Sequence, residues 1–405
     1  MDLLDKALRV LAQPVCNHCM GRQFGQLLSG FGNEERGRML RLFAAMSIDR
    51  EKAALGGLDL SNFAGITFHN LVLQPPAEKR CSVCNDFFRT LPLWVGRIAK
   101  KASPYEFSTF LVGTKLSFDL ITAEEALWER AGIDYCEPLK AEINRELGKQ
   151  AEARLLAKAD LKNPDMAFVV DLNENKVHVQ VNPLFIYGRY QKLVRGIPQT
   201  KWPSGKYKTS VEQIIAKPFM QATKAKAHKL HGLGREDIDA RCLAWRPFVL
   251  ELIEPKKRAV NLTVLAKRVG RGVKVSQLRS SSIAEVRRIK EARPDKTYRA
   301  LVRCAQPVTR NDLRKLRALQ TAIEQKTPQR VLHRRADRYR KRHVRSIRAK
   351  AVGRKTFELI VTAEAGTYIK ELISGDNGRT MPNVSNALGT SCVCKELDVV
   401  KIHTK

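Results

Sequence analysis

The sequence contains no apolar segment long enough to cross a bilayer. None of its apolar runs approaches the roughly 18 to 20 residues that a membrane helix requires. The opening residues, MDLLDKALRVLAQPVC, also lack the basic start, apolar core and small-residue cleavage site of a secretion signal. A glycine- and serine-rich linker and an internal repeat are absent as well. These absences indicate a soluble cytoplasmic protein with no membrane partner.

Acidic residues are scarce relative to basic ones. The 405 residues include 41 Asp and Glu against 73 Lys and Arg, which gives a net charge of +32. A field of this sign attracts polyanions, and nucleic acid binds such proteins through neutralised phosphates and released counterions. Charge alone does not separate an RNA-modifying enzyme from a ribosome-associated protein without chemistry.

The chain length indicates two or three domains. Residues 1–90 hold four cysteines and a helical segment at Glu34–Ala45. An α/β region follows, with apolar residues at helical spacing over Pro138–Lys158. Two strand-like runs, Ala167–Asp171 and Val177–Val181, flank a turn-prone Asn-Glu-Asn and therefore predict a hairpin.

After residue 182, strand-like and helical segments alternate. This pattern predicts an α+β fold built on a mixed sheet, with a domain boundary near residue 185. The predicted strands are Arg246–Ile253, Tyr298–Val302 and Phe357–Val361, and the predicted helices are Val211–Ala216, Ser282–Ala292 and Arg310–Ile323.

Two Cys-x-x-Cys pairs, Cys16 with Cys19 and Cys81 with Cys84, predict a metal site. Two such knuckles supply the four thiolates of a tetrahedral structural zinc and leave no open position for catalysis. Reduced unligated thiols and a redox pair are the alternatives. The other five cysteines are interpreted as small buried residues, because no disulfide framework is expected inside a cell.

Residues 231–241, HGLGREDIDAR, form the candidate active site. Gly232 and Gly234 permit a tight turn, and the charged cluster that follows is too polar for a core strand. A buried strand predicted at 246–253 would brace a carboxylate such as Asp237. Taken alone, the segment is equally compatible with a solvated surface turn.

Three further residues complete a possible pocket for a nucleobase. Tyr298 begins an apolar strand, while Tyr368 and Lys370 stand where a strand turns into a helix. An enzyme that works on an extruded base needs a carboxylate, an aromatic ring to stack on the base, and a fixed cation that keeps the carboxylate ionised. Each residue alone is more typical of an ordinary core or surface position.

These segments together resemble the catalytic motifs of pseudouridine synthases, in the form found in the archaeal and eukaryotic tRNA pseudouridine synthase family ten. The resemblance covers nearly all of residues 182–395, and the paired cysteines match as well. A departure is the stretch 242–246, CLAWR, where the family tends to have a glycine-rich turn. The matching segments are GRED at 234–237, KTYRALV at 296–302, GTYIKELISGDNGRT at 366–380, NPLFIYGRYQK at 182–192, QTKW at 199–202, VEQIIAKPFM at 211–220 and TPQRVLHRR at 327–335.

The resemblance implies isomerisation of uridine to pseudouridine in the T-loop of tRNA, at positions 54 and 55. Asp237 would be the nucleophile, and Tyr298, Tyr368, Lys370 and Arg235 would bind the substrate. Zinc would be structural, and no organic cofactor is expected. A monomer that binds the tRNA T-arm is the expected form.

The same resemblance implies three segments. Residues 1–90 would bind zinc, residues 91–185 would form a THUMP-like RNA-binding module, and residues 186–405 would form the catalytic domain with a basic insertion at 327–355. Residues 330–355 hold 12 Lys and Arg and a single acid, Asp337, which favours a phosphate-binding surface over a solvated helix or loop. The alternative function is a catalytically silent THUMP-type RNA-binding or ribosome-assembly factor.

Overall fold

The computed structural model describes residues 2–51 and 56–404. The chain forms two compact units, residues 1–182 and 183–405. The α+β class with mixed sheets is confirmed in both. No helix within the described residues is both long enough and apolar enough to span a membrane.

The first unit surrounds a four-stranded sheet with helices. Its strands lie in the order β2-β1-β3-β4, with β1 parallel to β2 and β3, and β3 antiparallel to β4. The elements are α1 (Leu3–Val10), α2 (Asn17–Gly21), α3 (Asn33–Glu51), α4 (Leu91–Ala102), β1 (Thr109–Lys115), α5 (Phe118–Ala131), α6 (Leu139–Leu155), β2 (Lys158–Ala159), β3 (Met166–Asp171) and β4 (Lys176–Val181).

Periodicity in the sequence accounts for α6 and the hairpin that follows it. The α6 side chains at i and i+4 lie on one face, and Ile143, Leu147 and Ala151 are fully buried there. The helix predicted at 138–158 and the hairpin predicted at 167–181 are thus confirmed. The predicted zinc-binding segment and RNA-binding module both contribute to one hydrophobic core in this unit, which runs from Ala7 to Val177.

The second unit is organised around a ten-stranded sheet. Its strand order is β13-β10-β11-β12-β9-β14-β7-β5-β8, and β6 pairs with β7. The elements are β5 (Leu184–Lys192), α7 (Val211–Thr223), β6 (Ala227–Gly232), β7 (Arg241–Ile253), α8 (Leu262–Lys267), β8 (Val273–Ser281), α9 (Ile283–Glu291), β9 (Lys296–Cys304), α10 (Arg310–Lys315), β10 (Ala322–Lys326), β11 (Tyr339–Gly353), β12 (Thr356–Ala363), α11 (Ile369–Ser374), β13 (Thr380–Met381), α12 (Val384–Leu388) and β14 (Cys392–Ile402).

The centre of this sheet positions the candidate site. β9 and β7 are both neighbours of β14, which is antiparallel to β9 and parallel to β7. Apolar clusters cover the sheet on either side of this point, one around α10, α11 and α12 and one around α7 and α8. The side chains on β9 and the loop before β7 are therefore held by packed structure.

Two sequence predictions differ from the structure. The helix predicted at 310–323 ends at Lys315, a 3-10 turn covers Leu316–Leu319, and Ile323 lies in β10. Pairing of β10 with β11 outweighs helical propensity here, because it buries Ile323 completely. Cys394, interpreted as buried, is only partly buried, since it lies on β14 close to the surface.

Most of the basic segment at residues 330–355 forms the strand β11. β11 lies between β10 and β12 in the sheet, and its polar side chains alternate with partly or fully buried positions such as Val344. Exposed and less exposed positions alternate over residues 339–344, which is the period of a strand rather than of a helix.

Candidate active site

The loop at residues 233–240 connects β6 to β7 and carries Asp237. Gly234 has φ of 74°, in the left-handed region that favours glycine. A Cβ atom at this position would also lie 2.6 Å from Nζ of Lys296. The turn therefore depends on glycine for its backbone conformation, while the contact with Lys296 involves the end of a flexible side chain.

Buried polar groups hold the backbone of this loop from the side of the core. Lys192 is fully buried, and its Nζ donates hydrogen bonds to the carbonyl oxygens of Asp237 (3.1 Å) and Ile238 (2.9 Å). Burial lowers the pKa of Lys192. Glu236 points into the core, where it forms an ion pair with Arg246 (Nε to Oε2, 3.2 Å) and accepts a hydrogen bond from the Tyr190 hydroxyl (3.0 Å). Glu236 thus holds the loop while the Asp237 side chain points outward.

The carboxylate of Asp237 lies against two cations. Nη1 of Arg330 donates to Oδ1 at 3.3 Å, and Nη2 lies 3.1 Å from Oδ2. Nζ of Lys370 lies 3.5 Å from Oδ2. Arg330 is itself oriented by Glu371, a buried acid whose Oε1 accepts from Arg330 Nε at 2.7 Å. This Glu371–Arg330–Asp237 chain keeps the Asp237 side chain in one orientation.

Lys370 forms its shorter ion pair with Asp239 rather than with Asp237. Its Nζ is 2.7 Å from both carboxylate oxygens of Asp239. The Lys370 ion pair contributes to a lowered pKa of Asp239, against the opposing effect of partial burial. Lys370 therefore bridges the two acids of the loop, and Arg330 makes the closer contact with Asp237.

The two tyrosines line the same cavity as Asp237. Tyr298 projects from β9, and burial raises the pKa of its hydroxyl to about 12, so that it stays protonated. Tyr368 precedes α11, and its backbone exchanges two hydrogen bonds with the fully buried Gln325 amide (2.8 and 2.9 Å). Its hydroxyl accepts from Nη1 of Arg335 at 3.0 Å. Both rings are thus supported by the sheet.

The cavity has a volume of about 590 Å³. Volumes of roughly 300 to 1,000 Å³ are usual for small-molecule sites. Basic side chains dominate its charged lining, with Arg340 and Arg342 of β11 among them. Arg235 lines the cavity as well, and its Nη2 donates to the Thr200 hydroxyl at 2.6 Å. The structure therefore brings together all five residues assigned from the sequence to catalysis or substrate binding.

Sequence reasoning did not single out several residues of this site. Arg330 was part of a long basic run, and nothing in the sequence distinguishes it from its neighbours. Glu371 directly follows Lys370 in a recognised motif, so its position could have been noticed. Lys192 and Gln325 act through backbone contacts that only the fold reveals.

The four paired cysteines form a separate cluster in the first unit. Their sulfur atoms all lie within 4.8 Å of one another, and Sγ of Cys16 is 3.5 Å from Sγ of Cys84. Sulfurs around a tetrahedral zinc, with Zn–S near 2.3 Å, are roughly 3.8 Å apart. The cluster could therefore hold a metal ion with little rearrangement. His18 lies outside it, because its ring stacks on Phe88 and its Nδ1 contacts Glu142 at 2.9 Å.

The groups next to the cysteines fit a negatively charged metal–thiolate centre. Arg22 is fully buried, and its charge interacts with Cys19 and Glu124. Its Nε and Nη2 have no hydrogen-bond partner among the residues that the structure describes. Two buried donors of this kind are suited to thiolate sulfurs, which accept hydrogen bonds once a metal has displaced their protons.

Two family models match the chain. Residues 185–403 match the model described as Pus10, C-terminal, and residues 94–171 match the model described as Pus10 THUMP domain, archaeal. Curated relatives named tRNA pseudouridine synthase Pus10 include one from Methanothermobacter marburgensis, 41% identical over 99% of this chain and 98% of its own. Another, from Pyrococcus furiosus, is 37% identical over 99% of this chain and 98% of its own.

These matches define the protein as a pseudouridine synthase that carries a THUMP domain. Among solved structures, a chain of a Cbf5-Nop10-Gar1 complex is similar over 52% of this chain and 47% of its own length. The identity is 18% and the TM-score is 0.32, so this similarity is too distant to bear on function. The chain belongs to the Pus10 family, because the C-terminal model covers more than half of it and relatives match almost its full length.

Proposed function

We propose that this protein isomerises uridine to pseudouridine in the T-loop of tRNA, at positions 54 and 55, with Asp237 as the nucleophile. The observation that carries the proposal is the Asp237 carboxylate, held by Arg330 at 3.1 Å and bordering a cavity that two tyrosines also line. The names of the Pus10 relatives, which specify tRNA, support the substrate class.

The reaction breaks the glycosidic C1′–N1 bond, turns the uracil, and joins C1′ to C5, after which C5 loses its proton and N1 gains one. Asp237 attacks as the carboxylate, which forms ion pairs with Arg330 and Lys370. Because each contact is made before the substrate arrives, little reorganisation is needed during the reaction. The overall reaction is an isomerisation and consumes no co-reactant.

The tyrosines are assigned to the extruded base. Tyr298 stacks on the uracil in this proposal, and its protonated hydroxyl is available as a donor. Tyr368 binds the substrate beside it, with its backbone held by Gln325. Lys370 neutralises the acids of the loop, and Arg235 contacts the RNA at the cavity border.

The tRNA partner fits the charge of the second unit. β11 carries exposed Lys341, Arg345, Arg348 and Lys350 beside the cavity-lining Arg340 and Arg342. Phosphate contacts of this kind provide affinity and orientation, while the pocket selects the base. The proposed complex is one monomer bound to one tRNA T-arm. The proposed segments are a zinc-binding segment at 1–90, an RNA-binding module at 91–185 and a catalytic domain at 186–405.

Zinc is the metal proposed for the cysteine cluster. Cys16, Cys19, Cys81 and Cys84 would supply all four ligands, so the ion stabilises the first unit and takes no part in the reaction.

The variant Asp237→Ala tests the proposal. We expect wild-type affinity for a T-arm transcript within a few-fold, and no detectable pseudouridine at positions 54 and 55, because the nucleophile is gone while the basic surface is intact. Carbodiimide mapping with primer extension measures the product, and filter binding measures affinity. Glu324→Ala, which removes an exposed acid of β10 that does not line the cavity, is the control.

Full activity of the Asp237→Ala protein would exclude Asp237 as the nucleophile. A wild-type protein that binds tRNA and modifies none would instead favour the second candidate, a catalytically silent THUMP-type RNA-binding or ribosome-assembly factor. The Asp237 carboxylate, which borders a cavity also lined by two tyrosines, favours the enzyme over that candidate.

A further inference from the structure

Lys296 occupies an unusual position in the cavity. It is the first residue of β9, two residues before Tyr298, so both side chains leave the same face of the strand. Both line the cavity, and Lys296 is only 7% exposed. A nearly buried ammonium group therefore faces the space in which the target base is proposed to lie.

Two other buried lysines in the described part of the chain have their ammonium groups satisfied. Lys192 donates to two loop carbonyls, and Lys6 donates to the carbonyl oxygens of Gly132 (3.2 Å) and Asp134. Lys296 Nζ, by contrast, makes no hydrogen bond or ion pair with any residue in the described ranges 2–51 and 56–404. The side chain is mostly buried and the residue lines the cavity, so the unpaired ammonium group is placed to take a partner supplied by a ligand.

The surroundings of Lys296 leave no protein acid available to it. The Glu236 carboxylate is engaged by Arg246 and Tyr190. Burial, followed by the positive charges of Arg246 and Arg293, lowers the pKa of Lys296 to about 8, although Cys242 and Glu236 act in the opposite direction. At neutral pH the side chain is still mostly a cation.

We propose that Lys296 donates a hydrogen bond to a carbonyl oxygen of the target uracil and stabilises the negative charge that the base acquires when the glycosidic bond breaks. This role rests on the proposed function. It makes Lys296 a catalytic residue distinct from the carboxylate and its paired cations.

The chemistry of uracil suits a single fixed cation. When the C1′–N1 bond breaks, its electron pair stays on the uracil and is delocalised onto the carbonyl oxygens. The sugar then either forms a bond from C1′ to the Asp237 carboxylate or transfers its C2′ proton to that carboxylate. Uracil has a carbonyl beside N1 and another beside C5. Turning the ring about its N3–C6 axis exchanges these two oxygens, so Lys296 contacts O2 before the turn and O4 after it. Lys296 keeps its proton throughout.

The first experiment measures single-turnover tritium release from a T-arm RNA labelled at C5, from about pH 6 to pH 10. We expect Lys296→Met to slow the reaction by about 10²- to 10³-fold at pH 7, the loss typical of removing one donor to a developing oxyanion. Its affinity for the RNA should change by less than about threefold, because the lost contact is to the base rather than to phosphate. Lys395→Met, which removes an exposed lysine from the neighbouring β14, should match the wild type.

The pH profile separates this role from a structural one. Lys296 is a cation below its pKa of about 8, so the wild-type rate should fall as pH rises through that value. Lys296→Arg, which stays charged, should retain partial activity and lose the decline near pH 8. A Lys296→Met rate equal to that of the wild type, or the same decline near pH 8 in the arginine variant, would overturn the proposal.

A second experiment distinguishes this proposal from the proposed function. Acetylation of Lys296 is measured by mass spectrometry in the presence of T-arm RNA that contains the target uridine, or of the same RNA with that base removed. Protection by the uridine-containing RNA alone supports the contact, even if the wild type were found to modify no tRNA and the proposed function failed. Equal acetylation with both RNAs would reject the contact, whatever the activity.

Discussion

Replacing Asp398 with asparagine tests an ion-pair cluster that connects the loop at residues 233–240, which carries Asp237, to the centre of the sheet. Asp398 lies on β14, and its carboxylate contacts Arg195 (2.7 Å), Arg241 (2.8 Å) and Arg299 (3.0 Å). Arg195 also donates to the carbonyl oxygen of Asp239 at 3.0 Å. Asparagine keeps the shape of the side chain and removes its charge.

The size of the effect follows from the pKa of Asp398. Its three arginines, acting against burial, lower that pKa from 3.8 to about 2. One pKa unit corresponds to about 1.4 kcal/mol, so the ionised group contributes about 2 kcal/mol to the free energy of unfolding at neutral pH. The arginine side chains are 27%, 31% and 41% exposed and regain water in the variant. We therefore expect a cost near about 2 kcal/mol rather than the larger cost of breaking a fully buried pair.

Urea unfolding at pH 7 measures this cost. Trp94→Phe and Trp128→Phe in both proteins leave Trp202 and Trp245 to report on the second unit. Glu254→Gln is the control, because the Lys226–Glu254 pair is exposed and should contribute less than about 0.5 kcal/mol. The folded-state pKa of Asp398 is depressed, so its contribution is present above about pH 4 and disappears as pH falls through about 2. Equal free energies of unfolding at pH 7 would refute this reasoning, as would a difference that persists in strong acid.

Two further predictions concern the Asp237–Arg330 ion pair and the cysteine cluster. Arg330→Lys should lower kcat by about 10²-fold with KM nearly unchanged, because lysine cannot bridge the Glu371 and Asp237 carboxylates as a guanidinium does. Steady-state kinetics on a T-arm RNA measure both constants, and a wild-type kcat would contradict the prediction. Cys81→Ser should abolish stoichiometric zinc binding, measured by elemental analysis, and lower the unfolding temperature of the first unit. Cys136→Ser should keep the metal, because Cys136 lies outside the cluster. A metal-free wild-type protein of unchanged stability would exclude a structural zinc.

Local periodicity and motif spacing predicted much of this molecule. The helix now seen as α6 and the strands β7, β9 and β12 were all indicated by their apolar patterns, because burial on one face imposes a regular spacing. Long-range pairing was not predictable in the same way. Ile323 was expected at the end of a helix and lies in β10, whose partner β11 begins at Tyr339.

The candidate site shows the same division. Asp237, Tyr298, Tyr368 and Lys370 could be selected because the segments around them together resemble the motifs of a known family, although each residue alone is ordinary. Arg330 and Lys296 could not, because any Arg or Lys of this basic chain looks alike until the fold shows which one contacts a carboxylate and which lies buried without a partner. Environment, rather than residue type, distinguishes these cations.

The position of β14 has a consequence for how the enzyme matures. β14 follows the other strands of the sheet along the chain, yet it lies between β9, which carries Tyr298, and β7, which follows the Asp237 loop. The two halves of the cavity become neighbours only when residues 392–402 insert between them, and such non-local pairing is slow relative to the formation of local structure. During translation, a ribosome-bound chain that lacks this strand can expose basic surface to RNA but cannot assemble a competent pocket.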